Sequence, residues 1–240
     1  MKEISIQRTP SGIPGLDTVT NGGFIKNSVI LVRGGTGTCK TTMATQFLVN
    51  GSKEVDENSA FISFSETKES VYATAKGFGW DLDKLEKQGK FAFIKYSPYE
   101  VEKVVAEGGG TIRDTIEEIG AKRLVIDSLT AYSLLFQNEY RATESILQLF
   151  DTLKSWDCTV LVTDEIEVRP QSVSAGRLGF LTDGIMNTYY LRSGNGRVRA
   201  LEVLKMRYST HSDKIVPFEI NSKGISVYPN KKITLPLITR

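Results

Sequence analysis

The sequence predicts an α/β fold: a mostly parallel central sheet flanked by helices and extended at its C-terminal end by antiparallel strands. Three observations predict it. Between residues 28 and 163, short apolar runs alternate with helical patterns, the order expected of a parallel sheet built from strand–helix units. Beyond residue 184, four strand-like runs follow one another closely, and Ser193-Gly194-Asn195-Gly196 has the composition of a hairpin turn. A glycine-rich stretch, Gly34-Gly35-Thr36-Gly37-Thr38-Cys39-Lys40-Thr41, falls where the first of these strands meets a helix.

Taken in order, Ser28 to Arg33 (SVILVR) reads as a buried strand. Lys40 to Asn50 reads as a helix with Met43, Phe47 and Leu48 on one face and Gly51 as its stop. Ala60 to Phe64 is a second strand, Glu69 to Lys76 and Leu82 to Gln88 are helical, and Phe91 to Lys95 is a third strand. A helix over Thr111 to Ile119 leads to a fourth strand, Arg123 to Asp127. Tyr140 to Ser155 is the clearest amphipathic helix, with Ile146, Leu149, Phe150 and Leu153 on one face. Thr159 to Thr163 is the fifth strand. The C-terminal strands are Gly184 to Arg192, Arg197 to Met206, Ile215 to Ile220 and Ile225 to Tyr228.

The chain has 240 residues, of which 40% are hydrophobic and 24% charged, a composition suited to one soluble domain with a sizeable core. That domain is expected over residues 1–228, with 229–240 as a tail that is mobile or docks a protein partner. The net charge of +2 gives no global case for nucleic acid or membrane. No apolar run approaches the roughly 20 residues that span a bilayer, and no secretory leader is evident after Met1. Cys39 and Cys158 form no CxxC pair, so reduced thiols in the cytoplasm are expected. The single histidine, His211, makes a histidine-rich metal site a poor fit.

The glycine-rich stretch has the context of a phosphate-binding loop. Backbone N–H groups of Gly34, Gly35, Thr36, Gly37, Thr38 and Cys39 would converge on phosphate oxygens at a helix N-terminus. Lys40 would reach the β- and γ-phosphates, and Thr41, followed by Thr42, would place its hydroxyl on Mg²⁺. The common pattern GxxxxGK[ST] has glycine before the lysine, and here that residue is Cys39. A thiol at a helix start is also a candidate for a lowered pKa and oxidation, the alternative being an inert small side chain. Leu124-Val125-Ile126-Asp127 is an apolar strand ending in a carboxylate, the form of a Walker B element. Asp127 would hold Mg²⁺ through water, from a strand expected to neighbour the loop. Glu66, just beyond the second strand, would orient or activate the attacking water from the carboxyl-end crevice of the sheet.

With these residues in place the chain resembles the KaiC-like branch of the RecA superfamily of ATPases. The likeness runs through Ser11-Gly12-Ile13-Pro14-Gly15-Leu16-Asp17, Gly22-Gly23-Phe24-Ile25, the glycine-rich loop, Phe64-Ser65-Glu66, Val125-Ile126-Asp127-Ser128-Leu129 and Val162-Thr163-Asp164-Glu165. It ends in Leu204-Lys205-Met206-Arg207-Tyr208-Ser209-Thr210-His211. The resemblance implies a RecA-like P-loop NTPase core, ATP and Mg²⁺ as ligands, and a homo-oligomer, usually a hexameric ring, with ATP at subunit interfaces. Lys205 and Arg207 match the family's Lys-x-Arg that reaches a neighbour's nucleotide, and His211 falls where the family contacts that nucleotide. Two departures matter. Where the clock protein has paired glutamates, this chain has Ser65-Glu66. The clock protein's Ser-Thr autophosphorylation pair falls at Gly179-Phe180, so autokinase activity is not expected. The segment Glu165 to Asp183 resembles in position a recombinase loop that touches single-stranded DNA; it holds Arg169, Arg177 and Phe180 but also Glu165 and Glu167, and a loop at the subunit interface is the alternative. Three functions stand as expectations: an ATPase switch, a nucleotide-binding module with little turnover, and a DNA-binding recombination accessory.

Overall fold

The structure is a computed structural model that describes residues 6–97, 99–100, 110–134, 136–171, 174–176, 178–193 and 195–233. The first elements are β1 (Arg8–Thr9), α1 (Leu16–Val19), β2 (Phe24–Ile25), β3 (Val29–Gly34) and α2 (Lys40–Glu54). They are followed by β4 (Ser59–Ser63), α3 (Lys68–Gly77), α4 (Leu82–Lys87), β5 (Phe91–Lys95), α5 (Gly110–Glu118) and β6 (Arg123–Asp127). Then come α6 (Leu129–Ser133), α7 (Glu139–Lys154), β7 (Thr159–Glu165), β8 (Gly184–Ser193), β9 (Gly196–Met206), β10 (Val216–Asn221) and β11 (Gly224–Val227).

Nine strands form one sheet in the order β11-β10-β9-β8-β3-β7-β6-β4-β5, and β1 and β2 make a small ribbon apart. From β8 to β5 every pairing is parallel, and β9, β10 and β11 add antiparallel strands. The pleat sends alternate side chains to opposite faces. Along β3, Ile30 and Val32 enter one core with Met43, Phe47 and Leu48 of α2. Val29 and Leu31 enter the other with Ile146, Leu149, Phe150 and Leu153 of α7. A strand covered on both faces must be apolar throughout, which is why β3 reads as an unbroken hydrophobic run. Among the described residues no helix is long and apolar enough to cross a membrane.

Two sequence expectations need correction. Gly51 does not stop α2, which continues to Glu54. A Cβ at Gly51 would stand 2.2 Å from Arg123 Nε, so the glycine admits a side chain rather than ending a helix. That arginine is fully buried. It pairs with Glu57 at 2.7 Å, donates to the Phe47 carbonyl at 2.9 Å and lies 4.6 Å above the Phe47 ring, pinning α2 to β6. Nor does the strand ending in Asp127 adjoin the strand that carries the glycine-rich loop. Strand β7 intervenes, and β4, which precedes Glu66, lies one strand further out. Local pattern identifies strands, but long-range pairing sets their order.

Candidate functional site

The glycine-rich loop leaves the carboxyl end of β3 and turns into α2. Gly34 must be glycine, because a Cβ would lie 2.2 Å from the Thr188 hydroxyl and 2.5 Å from its carbonyl oxygen. Beyond it the loop opens: a Cβ at Gly35 would meet nothing within 4 Å, and Gly37 takes the left-handed conformation at φ +79°. Thr38 closes the turn with a 2.8 Å bond to the Gly35 carbonyl and lies 2.9 Å from the Thr188 hydroxyl. Cys39 also lies in the left-handed region, at φ +67° and ψ +34°. A residue with a Cβ pays roughly 1–2 kcal/mol for that conformation, which is the physical reason glycine suits the position and cysteine strains it.

Lys40 is buried, and its ammonium donates to the carbonyls of Gly34 (2.8 Å) and Gly35 (3.1 Å). Burial lowers its pKa, and Glu165, Asp127 and Asp164 oppose that shift. Thr41 donates to Asp127 Oδ2 at 2.7 Å, while Thr163 donates to Oδ1 of the same carboxylate. Thr41 and Asp127 thus stand side by side, even though a strand separates β3 from β6. A hydroxyl and a carboxylate, both hard oxygen donors held together, suit Mg²⁺, which takes few protein oxygens and keeps several waters. Thr42 is half-buried in the first turn of α2.

Glu66 stands at the carboxyl end of the sheet but is not drawn to the loop in this conformation. Its carboxylate accepts from the Ser70 hydroxyl (2.9 Å), and its backbone exchanges bonds with the Ser63 hydroxyl. Besides Asp127, two carboxylates beside the loop are ones that the sequence motifs do not assign to the site. Strand β7, paired directly with β3, ends in Asp164 and Glu165. Glu165 accepts from Thr36 at 2.6 Å, and Asp164 accepts from Thr130 of α6 at 2.8 Å. Burial raises the Asp164 pKa against the pull of Thr130, Arg33 and Lys40. The β3–β7 pairing brings this strand end to the loop, which residue spacing does not encode.

On the other side of the loop, Arg199 of β9 donates to the Gly37 carbonyl at 3.1 Å. Its guanidinium lies 4.4 Å over the Tyr190 ring, and that of Arg197 lies 5.0 Å from the same ring. Only the β8–β9 pairing reveals this cluster. It bears on Cys39 too: burial raises the thiol pKa, against the opposing influence of Arg199 and Lys40. Of the two readings of Cys39, the raised pKa goes against the reactive thiol and with the inert side chain, because desolvation of the thiolate outweighs the nearby positive charge.

Lys205, Arg207 and His211 lie at the opposite end of the sheet. Lys205 pairs with Ile185, which pairs with Leu31, and the Arg207 amide donates to Asp183, whose amide donates to Val29. Arg207 is therefore level with the amino end of β3, roughly 17 Å down the strand from Gly34 at 3.3 Å per residue. Lys205 Nζ donates to the carbonyls of Gly179 (2.7 Å) and Thr182 (2.6 Å). Arg207 donates to the Phe180 carbonyl (2.9 Å) and meets Asp183 at 3.4 Å. His211 Nδ1 lies 3.0 Å from the Ser212 carbonyl. Of the residues considered for single-stranded DNA, Arg169 pairs with Glu167, Phe180 is exposed, and Arg177 lies outside the described residues. Of the tail, residues 234–240 also lie outside them.

Comparison with known proteins agrees with this outline. A family model described as ATPase: KaiC matches residues 9–232. The UPF0273 protein MJ1359 of Methanocaldococcus jannaschii is 32% identical over 243 residues, covering 96% of this chain and 100% of that protein. The circadian clock oscillator protein KaiC of Synechococcus elongatus is 33% identical over 234 residues, covering 94% of this chain but 45% of the clock protein. The crystal structure of the KaiC-like protein PH0186 from Pyrococcus horikoshii OT3 superposes with a TM-score of 0.81 at 33% identity. That match covers 93% of this chain and 100% of the other.

Proposed function

The chain belongs to the KaiC family of ATPases, and from that premise we propose that it is a Mg²⁺-dependent ATPase whose nucleotide lies between two copies of the chain. Residues 1–228 act as one ATPase domain, and its cycle drives an assembly or regulatory switch. Nucleotide binding and ATPase chemistry are properties of the family. The observation that carries the interface reading is the distance between two half-sites. The glycine-rich loop, Lys40, Thr41 and Asp127 occupy the carboxyl end of the sheet, and Lys205 and Arg207 occupy the amino end. The two cations do not reach the loop of their own protomer, and a neighbour stacked head to tail would receive them.

In this reading the loop amides and Lys40 hold the phosphates, and Lys40 leaves the Gly34 and Gly35 carbonyls to do so. Thr41 and Asp127 would hold Mg²⁺, which would supply neutralisation of phosphate charge there. Glu66 orients the attacking water and accepts its proton. Arg207 and Lys205 of the neighbour stabilise negative charge that grows on the transferred phosphoryl group, so turnover depends on assembly. Phosphate release measured beside light scattering tests this. ATP should raise the mass of the particle. Lys40→Ala and Glu66→Gln should both depress phosphate release, and equal activity in all three proteins would refute the proposal.

A second reading, tight nucleotide binding with little turnover, rests on the strained Cys39 backbone and on Ser65 standing where the clock protein has a carboxylate. Tight ATP binding with negligible phosphate release in the unaltered protein would favour it over the first.

A further inference from the structure

The segment joining β7 to β8 is gripped from two sides. Near its middle the buried Arg33 guanidinium donates to the carbonyls of Ser174 (3.0 Å) and Ala175 (2.8 Å) and to Asn187 Oδ1 (2.8 and 3.0 Å). Arg33 directly precedes Gly34, and its own carbonyl lies 2.9 Å from the Thr188 hydroxyl that also meets Thr38. At the far end, Lys205 and Arg207 hold the carbonyls of Gly179, Phe180 and Thr182. The two grips meet at one contact. A Cβ on Gly179 would stand 2.2 Å from the Ala175 Cβ and 2.7 Å from its carbonyl oxygen, so these turns are packed without slack.

The cations that hold this segment are those the proposed function sends to a neighbour's nucleotide, and any coupling through them rests on that reading. We propose that residues Leu178–Asp183 couple adjacent nucleotide sites, because Lys205 and Arg207 cannot give the same N–H groups to the segment's carbonyls and to a neighbour's phosphates. An anionic phosphate offers these cations a full opposite charge that a neutral carbonyl lacks, so ATP in the neighbour draws the cations away. Phe180 is 61% exposed, and water takes over its carbonyl at little cost. The released turn moves against Ala175, Ala175 against Arg33, and Arg33 against the glycine-rich loop of its own protomer. The path is contiguous, and linkage makes the coupling reciprocal.

A Phe180→Trp reporter in the full chain tests this, with the emission of the buried Trp80 and Trp156 subtracted using the parent protein. ATP should shift the reporter's emission only at protein concentrations where light scattering shows assembly. A Lys40→Ala chain carrying the reporter should still respond when mixed with unlabelled parent protein and ATP, since it reads its neighbour's nucleotide. A reporter chain carrying Lys205→Met and Arg207→Ala should lose the response. Gly179→Ala should change the ATP dependence of assembly; if that variant does not fold, Ala175→Gly loosens the same contact without adding bulk. ATP-driven assembly with unchanged reporter emission, or a full shift in the monomer, overturns the coupling while leaving the interface site intact. Absence of ATP-driven assembly, seen directly by scattering, removes the interface reading and the coupling with it.

Discussion

The two ends of the sheet differ in charge and in completeness. At the carboxyl end, Lys40 sits among Asp127, Asp164 and Glu165, so one buried ammonium faces three carboxylates. At the amino end, Lys205 and Arg207 lie beside Asp183, and burial together with the Arg207 charge lowers the Lys205 pKa. One end carries the glycine-rich loop with a lysine among carboxylates and Arg199 at the Gly37 carbonyl, and the other has cations held by backbone carbonyls and one carboxylate. In the proposed function the two ends are the two halves of one site, carried on different surfaces of the chain. Complementary surfaces of that kind fit head-to-tail association, which closes into a ring when the rotation allows.

The largest expected effect breaks the comparison at its amino end. Arg207→Ala should lower turnover by about 10³-fold, the lower range for an arginine supplied in trans, while the protomer still binds ATP. Mixing it with Lys40→Ala should restore part of the activity, because each chain repairs the other's defect. Additive loss in the mixture would place both residues in one chain's site. Glu66→Gln should cost about 100-fold in turnover, as expected for a residue that handles the water's proton. Glu165→Gln is the comparison: a larger loss there would assign the water to the carboxylate beside Thr36 instead. Asp127→Asn should raise the Mg²⁺ concentration needed for half-maximal phosphate release by roughly 10–100-fold, since in the proposed site Asp127 would hold the metal and it accepts from Thr41.

Smaller effects sharpen the account of the loop. Cys39→Gly removes a left-handed residue that carries a Cβ, so the folded protein should gain roughly 1 kcal/mol of stability. Denaturant unfolding reads this, and an unchanged midpoint would mean that the Cys39 backbone is not strained. Burial raises the Cys39 pKa above its ordinary value of 9.0. A raised thiol pKa means less thiolate at any given pH, so alkylation of Cys39 by iodoacetamide should be slow at neutral pH and climb only above pH 9.0. A half-rise below that pH would contradict the assignment. Cys158, fully buried and pushed up to about 12, should stay unmodified throughout, and Cys39→Ser should abolish the reaction.

Much of the fold was legible because its signals are local. The alternation of apolar runs with amphipathic helices comes directly from burial of each strand on both faces and each helix on one. The glycine-rich loop was legible because glycine is required where Thr188 crowds Gly34 and where Gly37 turns left-handed. The helix α6 was missed because five residues give too short a stretch to show a period. Gly51 was misread because a glycine near a helix end looks like a stop, and the buried arginine that requires it comes 72 positions later. At the site, Lys40, Thr41 and Asp127 could be named from motif and context. Asp164, Glu165 and Arg199 could not be assigned, because each reaches the loop through a strand pairing that residue spacing does not encode.

The sequence by itself determined the elements, the glycine-rich loop, the acidic strand end and the family. Each depends on residue type at short range: side-chain periodicity, backbone freedom at glycine, and charge at a strand terminus. Only the tertiary structure decided that β7 separates β3 from β6, that Cys39 takes a strained backbone and a raised thiol pKa, and that Lys205 and Arg207 face away from their own loop. These depend on which strands lie side by side and how deeply each group is buried. Both are set by closing long loops around a shared core, a free energy summed over the whole chain that no short segment carries.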